Sequence, residues 1–230
     1  MSLHTVYLPD LSDRTSEVVI GGDEAHHAVR VKRLVVGDEL GFADGKGRRA
    51  IAKIAATEKT RDGWVIRASV TEVRDVARPS PELTVLASAP KGDHLATMID
   101  GLAQQGVRAW SPLLSRRTVV DPREHKLERL ERVAIEALKQ CGGAWLLEVH
   151  PAVRLKDALG MPGVIMADAS GEAWQGPAPA KATLLIGPEG GWDPGELADA
   201  GRAGVRVARF GGLTMRTEVA AVVSAAIVML

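Results

Sequence analysis

The residues able to do chemistry gather in two short glycine-rich segments in the last quarter of the chain. Gly187-Pro188-Glu189-Gly190-Gly191-Trp192 follows the apolar run Thr183-Leu184-Leu185-Ile186. Gly211-Gly212-Leu213-Thr214-Met215-Arg216-Thr217-Glu218 follows a second apolar run, 205–210, that ends in Phe210. Glycines at the ends of strands let backbone approach a flat ligand closely, and α/β proteins use such loops for that purpose. Arg216 and Glu218 place charge where the ligand would react. Neither segment has the lysine and serine or threonine of a phosphate-binding GxxxxGK[ST] loop, and neither has the GxGxxG order of a dinucleotide fold. Asp193-Pro194 predicts a helix start, with aspartate as N-cap and proline in the first turn. In the second segment Thr217 is the expected N-cap, with Glu218 at the positive end of the helix dipole. On residue type alone, an Arg216–Glu218 salt bridge is the simpler reading. The second glycine loop beside it favours function.

Other reactive residues offer less. His26-His27 are adjacent on a predicted helix and so point apart, and no further ligand stands at metal spacing. No metal is expected. Cys141 ends an amphipathic helix with no histidine near it in sequence, and is expected to be buried.

The elements that must position these loops follow from periodicity. Residues 1–74 carry short β-branched segments broken by turns: 18–20, 39–43, 49–55 and 64–73. This spacing predicts a small β-barrel. A helix over 24–34, with Asp23 as N-cap, is expected to interrupt it. Residues 75–82 hold prolines and read as a linker. From 83 to 230 strands and helices alternate. Strands are expected at 83–89, 107–114, 145–149, 164–167, 183–186 and 205–210; helices at 93–105, 124–141, 194–203 and along the apolar C-terminal run. The pattern predicts a mostly parallel sheet with both faces covered and the ligand at the strands' carboxyl ends.

Bulk properties bound the rest. The chain has 230 residues, 46% of them apolar, a single cysteine and zero formal charge. One cysteine allows no internal disulfide and suits a reducing, cytoplasmic setting. The run 219–230 is too short to span a bilayer and reads as a buried helix, so no membrane is expected. Zero net charge argues against a general nucleic-acid coat but leaves local basic patches, at Arg30-Val31-Lys32-Arg33, Lys46-Gly47-Arg48-Arg49 and Arg116-Arg117, each of which taken singly reads as solvated charge balanced by nearby acids.

These residues together resemble the bacterial 16S ribosomal RNA uridine N3-methyltransferases of the SPOUT superfamily, along nearly the whole chain. The N-terminal match is Asp23-Glu24-Ala25-His26-His27-Ala28-Val29-Arg30-Val31, with Gly37-Asp38 and Asp44-Gly45. Pro90-Lys91-Gly92-Asp93, Ser111-Pro112-Leu113, Ser115-Arg116-Arg117 and 134–142 match the middle. Leu185-Ile186-Gly187-Pro188-Glu189-Gly190-Gly191 is the most specific match, then Arg216-Thr217-Glu218 with Ala220. The chain departs from the family pattern at Gly101, Gln104-Gln105, Gly143, Leu213 and Val219.

The resemblance implies a PUA-like RNA-binding β-barrel followed by a SPOUT α/β domain with a deep C-terminal trefoil knot. It implies S-adenosylmethionine bent between Ile186, Gly187, Pro188, Glu189, Gly190, Gly191 and Phe210, Gly211, Leu213, Met215. It implies that Arg216 acts on the target base, with Glu189 or Glu218 orienting it or relaying a proton. RNA is expected on His27, Arg30, Lys32, Arg33, Arg116 and Arg117, the partner being 16S rRNA or the small ribosomal subunit. A homodimer is expected, with the apolar C-terminal helix as a candidate face. Two other readings stay open: a SPOUT enzyme acting on another RNA nucleotide, and a non-catalytic RNA-binding or assembly protein.

Overall fold

The computed structural model describes residues 3–120 and 124–230. Its contacts divide the chain into two compact units, Met1–Arg78 with Leu138–Leu146, and Pro79–Ala137 with Leu147–Leu230.

The first unit is a curled five-stranded sheet. Its strands β1 (Thr5–Tyr7), β2 (Glu17–Ile20), β3 (Glu39–Ala43), β4 (Arg48–Thr60) and β5 (Gly63–Asp75) lie in the order β1-β3-β4-β5-β2. β1 runs parallel to β3 and the other pairings are antiparallel. β4 and β5 form a long ribbon closed by a tight turn, where Thr60 Oγ1 donates to Gly63 O at 2.9 Å. Register shifts between Ile51 and Ala52 and between Ile54 and Ala56 add twist, which lets a ribbon this long curl around a core. That core contains Leu40, Phe42, Ala52, Ile54, Ile66 and Ala68, the inward positions of alternating strands.

The expected helix starts earlier and ends sooner. Helix α1 (Gly22–His26) is capped by Gly21, and Asp23 lies inside its first turn, where its charge meets the positive end of the helix. The backbone widens to a π-turn over His27–Val31 and stops at Arg33, a non-glycine residue at φ 58. The expected strand over 145–149 shrinks to Glu148–Val149, because Trp145 packs into the first unit. Its Nε1 donates to Val76 O at 3.0 Å, and the Arg78 guanidinium lies 4.1 Å from its ring. Gly47 makes room for it: at φ 107, a Cβ there would lie 2.3 Å from the indole.

The second unit is a parallel α/β sheet. β6 (Glu82–Ala87), β7 (Ala109–Leu114), β8 (Glu148–Val149), β9 (Val153–Arg154), β10 (Val164–Ala173), β11 (Lys181–Ile186) and β12 (Arg206–Arg209) follow in chain order. They lie side by side as β12-β10-β11-β6-β7-β8, with β9 also on β7. The central strands are buried almost throughout, as parallel strands covered on both faces must be. Pro112 lacks an N–H, and it falls between the two short partners that β7 takes at Ala109–Trp110 and at Leu113–Leu114.

The helices are α2 (His94–Gln104), α3 (Glu124–Cys141), α4 (Leu155–Ala158), α5 (Pro194–Arg202) and α6 (Thr217–Val228). Two expectations are corrected here. Cys141 is exposed rather than buried: it closes α3, and its Sγ turns back toward Leu138 O at 3.7 Å. Helix α6 is buried on one face only. Ala221, Ser224, Ala225 and Val228 pack inward on β6, β11 and α2, while Val219 is 44% exposed and Leu230, beyond the helix end, wholly so. A helix apolar all round carries no pattern to say which face is covered. Gly101 of α2 meets Val222 of α6 so closely that a Cβ would stand 2.7 Å from Val222 Cγ2.

Candidate active site at the strand ends

Three loops leave the carboxyl ends of β6, β11 and β12, and hydrogen bonds join them. Ser88, just past β6, donates its N–H to Ile186 O at 3.0 Å. Thr217 Oγ1, at the start of α6, reaches Gly187 O at 3.4 Å. The two glycine segments far apart in sequence therefore meet, and Ile186 lies buried beneath them.

The loop after β11 is shaped by Trp192. Its buried ring packs on Gly187, where a Cβ would lie 3.0 Å away, and its Nε1 donates to Ala167 O on β10 at 2.9 Å. Gly191 turns the chain at φ 68, with its N–H on Pro188 O at 2.8 Å. Pro188 is buried, whereas Glu189 and Gly190 face outward. Asp193 then caps α5 as expected, in a full capping box with Glu196.

Glu196, 4% exposed, does more than complete the cap. Its carboxylate accepts from Asp193 N at 2.9 Å and from Arg116 N at 2.8 Å. Sequence reasoning missed this residue; the spacing Asp193–Glu196 carried the capping-box signal, but nothing local pointed to Arg116.

In the loop after β12, Phe210 is buried and stacks on Trp174 with centroids 5.6 Å apart. Gly211, Gly212, Leu213 and Thr214 are exposed, Leu213 at 87%, and Met215 is half-buried beside Gly211. Among the described residues, no backbone hydrogen bond engages the N–H groups from Gly211 to Arg216. Such a run of open amides and small residues fits a flat polar ligand such as a nucleoside.

Arg216, not Thr217, is the N-cap of α6, with extended backbone at ψ 155. Its side chain is exposed and forms no ion pair among the described residues. The Arg216–Glu218 salt bridge is absent. Glu218 is buried at 8% exposure and pairs instead with His94 Nδ1 at 3.2 Å, from the first turn of α2. His94 carried no signal of its own in the sequence. Its role arises only because the starts of α2 and α6 meet.

The expected RNA residues divide. His27, Arg30, Lys32 and Arg33 are exposed on the first unit around the π-turn, with the His27 ring 5.4 Å from that of His4. Arg116 and Arg117 belong to the second unit and turn toward the loop after β11: Arg117 Nη1 donates to Gly190 O at 2.7 Å, and Arg116 Nη1 to Asp193 Oδ1 at 3.0 Å. Among the described residues no set of three His, Cys, Asp or Glu side chains is placed to hold a metal ion. None of the described helices is long and apolar enough to cross a membrane.

With this geometry in view, comparison with known proteins is direct. Residues 78–229 match the model of an RNA methyltransferase domain, and residues 20–61 that of an RNA methyltransferase PUA domain. The chain belongs to this family of RNA methyltransferases. It is 30% identical, over 95% of its length and 88% of the relative's, to the Ribosomal RNA small subunit methyltransferase E of Mycobacterium bovis. It is 26% identical to the protein of the same name from Synechocystis, over 88% of this chain and 69% of that one. Among solved structures, a probable rRNA-methyltransferase from Porphyromonas gingivalis is 26% identical with a TM-score of 0.82, covering 97% of this chain and 95% of that one. The Neisseria gonorrhoeae enzyme bound to S-adenosyl methionine shares the fold at a TM-score of 0.84 and 24% identity, covering 98% and 96%.

Proposed function

We propose that the chain transfers a methyl group from S-adenosylmethionine to N3 of a uridine in 16S rRNA of the small ribosomal subunit. The observation that carries this reading is the meeting of the two glycine loops through Thr217 and Gly187, with the exposed Arg216, in no ion pair among the described residues, directly following the open amides of 211–215. The relatives' names support the ribosomal substrate, and the methyltransferase structures support the cofactor.

When bound, the cofactor supplies a methyl group on an electrophilic sulfonium. The loop 187–191 and the loop from Phe210 to Met215 hold it through backbone groups. The chain must pass from β12, at the sheet edge, back across the ends of β10 and β11 to reach α6. We take that passage to be the trefoil knot.

N3–H lies on the Watson–Crick edge, so the protein acts on an unpaired or flipped base. Loss of that proton spreads negative charge onto O2 and O4. Arg216 aims a guanidinium at this charge and stabilises the transition state. Glu218 is engaged by His94 and holds the start of α6, and thereby Arg216. Glu189, exposed at the lip of the loop, accepts the proton. His27, Arg30, Lys32 and Arg33 grip the RNA backbone. The outer face of α6 pairs two copies as a homodimer, and the protein works in the cytoplasm.

The test is methyl transfer from tritiated cofactor to small subunits from cells lacking this gene, with the product nucleoside identified by mass spectrometry. 3-Methyluridine is the expected product, and another methylated nucleoside overturns the N3 assignment. Arg216→Ala should lower turnover at least about a hundredfold, the scale of a lost oxyanion donor, with cofactor affinity nearly unchanged.

A further inference from the structure

Arg117 carries the charge expected of an RNA contact and is exposed, yet its guanidinium is engaged by the loop after β11. Nη1 donates to the carbonyl of Gly190 at 2.7 Å, and Nη2 lies 4.0 Å from Asp193 Oδ2. Its stem covers the face of Gly190, where a Cβ would lie 3.5 Å from Arg117 Cδ. The neighbouring backbone is fastened to the same loop, through Arg116 N–H on the buried Glu196 and Arg116 Nη1 on Asp193.

The base of this clamp is fixed as well. Thr118 Oγ1 accepts from Ser115 N at 2.9 Å, donates to Leu113 O at 3.1 Å, and lies 3.3 Å from Ser88 Oγ. The loop 115–118 is thereby tied to the end of β7 and to the segment after β6. It forms a rigid mount for the loop 187–193, more than seventy residues away in sequence.

Glycine-rich backbone loses the most entropy on ordering. A loop of Gly187, Gly190 and Gly191 that must present its amides to a ligand pays that cost at each binding event unless it is held beforehand. We propose that Arg117 is a positioning residue for the cofactor, holding the loop 187–191 in its binding conformation through the Gly190 carbonyl, rather than a contact to RNA phosphate. The proposal rests on the reading of 187–191 as the cofactor loop.

The experiment uses the full chain and three variants, Arg117→Ala, Arg117→Lys and Gly191→Val. S-adenosylmethionine affinity is read by calorimetry, and the KM for RNA at saturating cofactor by methyl transfer. Loss of a hydrogen bond from a charged donor should weaken cofactor binding by about tenfold in Arg117→Ala. Arg117→Lys keeps the charge and one donor but loses the planar fork that faces both Gly190 O and Asp193, so it should recover only part of the affinity, whereas a merely electrostatic role would recover all of it. The KM for RNA should stay within about twofold, since a phosphate contact is worth far more in affinity. Unchanged cofactor affinity with a raised KM for RNA in Arg117→Ala would overturn the proposal and make Arg117 a phosphate contact. Gly191→Val separates the two levels: it forces a β-branched residue to φ 68, in open space. If it weakens cofactor binding while Arg117→Ala does not, only the clamp fails. If it leaves cofactor affinity untouched, the loop itself is misread and the clamp falls with it.

Discussion

At the scale of residues, the site is defined by what each side chain is prevented from doing. Arg216 and Glu218 stand two apart in sequence, and a continuous helix would turn them to opposite faces. Arg216 is instead the N-cap in extended conformation, so its side chain leaves before the helix begins, and Glu218 turns inward to His94. The separation leaves the guanidinium available. Gly187 illustrates the opposite constraint. It is required by a neighbour, because Trp192 fills the space where a side chain would stand. Gly187→Ala should push the indole aside, strain its bond to Ala167 and cost about 1–3 kcal/mol of stability, as overpacking does. Tryptophan emission and thermal unfolding read this together. A variant with wild-type emission and stability would show that the ring moves freely.

At the scale of elements, the pairing of α2 with α6 determines how the loops meet. Gly101, one of the positions where the chain departs from the family pattern, has a structural role: it admits Val222 of α6 at a distance no Cβ would allow. Gly101→Ala gains about 1 kcal/mol in helix propensity but should lose more than that to the clash, for a net destabilisation of about 1 kcal/mol. Trimming the partner should reverse the sign. In the Gly101→Ala, Val222→Ala double variant the first substitution becomes neutral or stabilising, and the coupling in a double-mutant cycle of thermal unfolding should exceed about 0.5 kcal/mol. Purely additive effects would mean that the helices slide apart without cost.

At the scale of the molecule, acid sensitivity and assembly are the measurable consequences. Burial, then the His27 imidazole, hold His4 below its ordinary 6.5, with Glu24 opposing them, and its Nε2 is buried without a hydrogen-bond partner among the described residues. The folded state thus binds this proton less readily than the unfolded chain. The associated stability is complete above the ordinary value of 6.5 and is lost as pH falls through the lower folded value. Thermal unfolding should therefore shift downward as pH falls below 6.5 toward the lower folded value, and less steeply in His4→Asn. Equal slopes would locate the acid sensitivity elsewhere. If the outer face of α6 joins two copies, a charge at Val219 should dissociate them, because that face carries no polar group to receive it. Sedimentation of Val219→Arg should then report a monomer.

Much of this was legible in the sequence because it rests on local rules. Buried parallel strands announce themselves as continuous apolar runs, the helix α3 by its period, and the start of α5 by Asp193-Pro194 with Glu196 in reach. The glycine loops were visible because few other residues can make such turns, and their motifs sufficed to name the family. Contacts between residues distant in the chain were not visible, since no spacing encodes them. The sequence could not show that Glu218 would meet His94, that Arg116 and Arg117 would turn to the loop 187–193, or that Trp145 would fold back on Gly47. Nor could it show which face of an evenly apolar α6 is covered, or that Cys141 would end its helix in solvent. Local propensity and periodicity specify which elements form; only the packing of those elements decides which side chains are consumed in holding the site together and which, like Arg216, are left free to act.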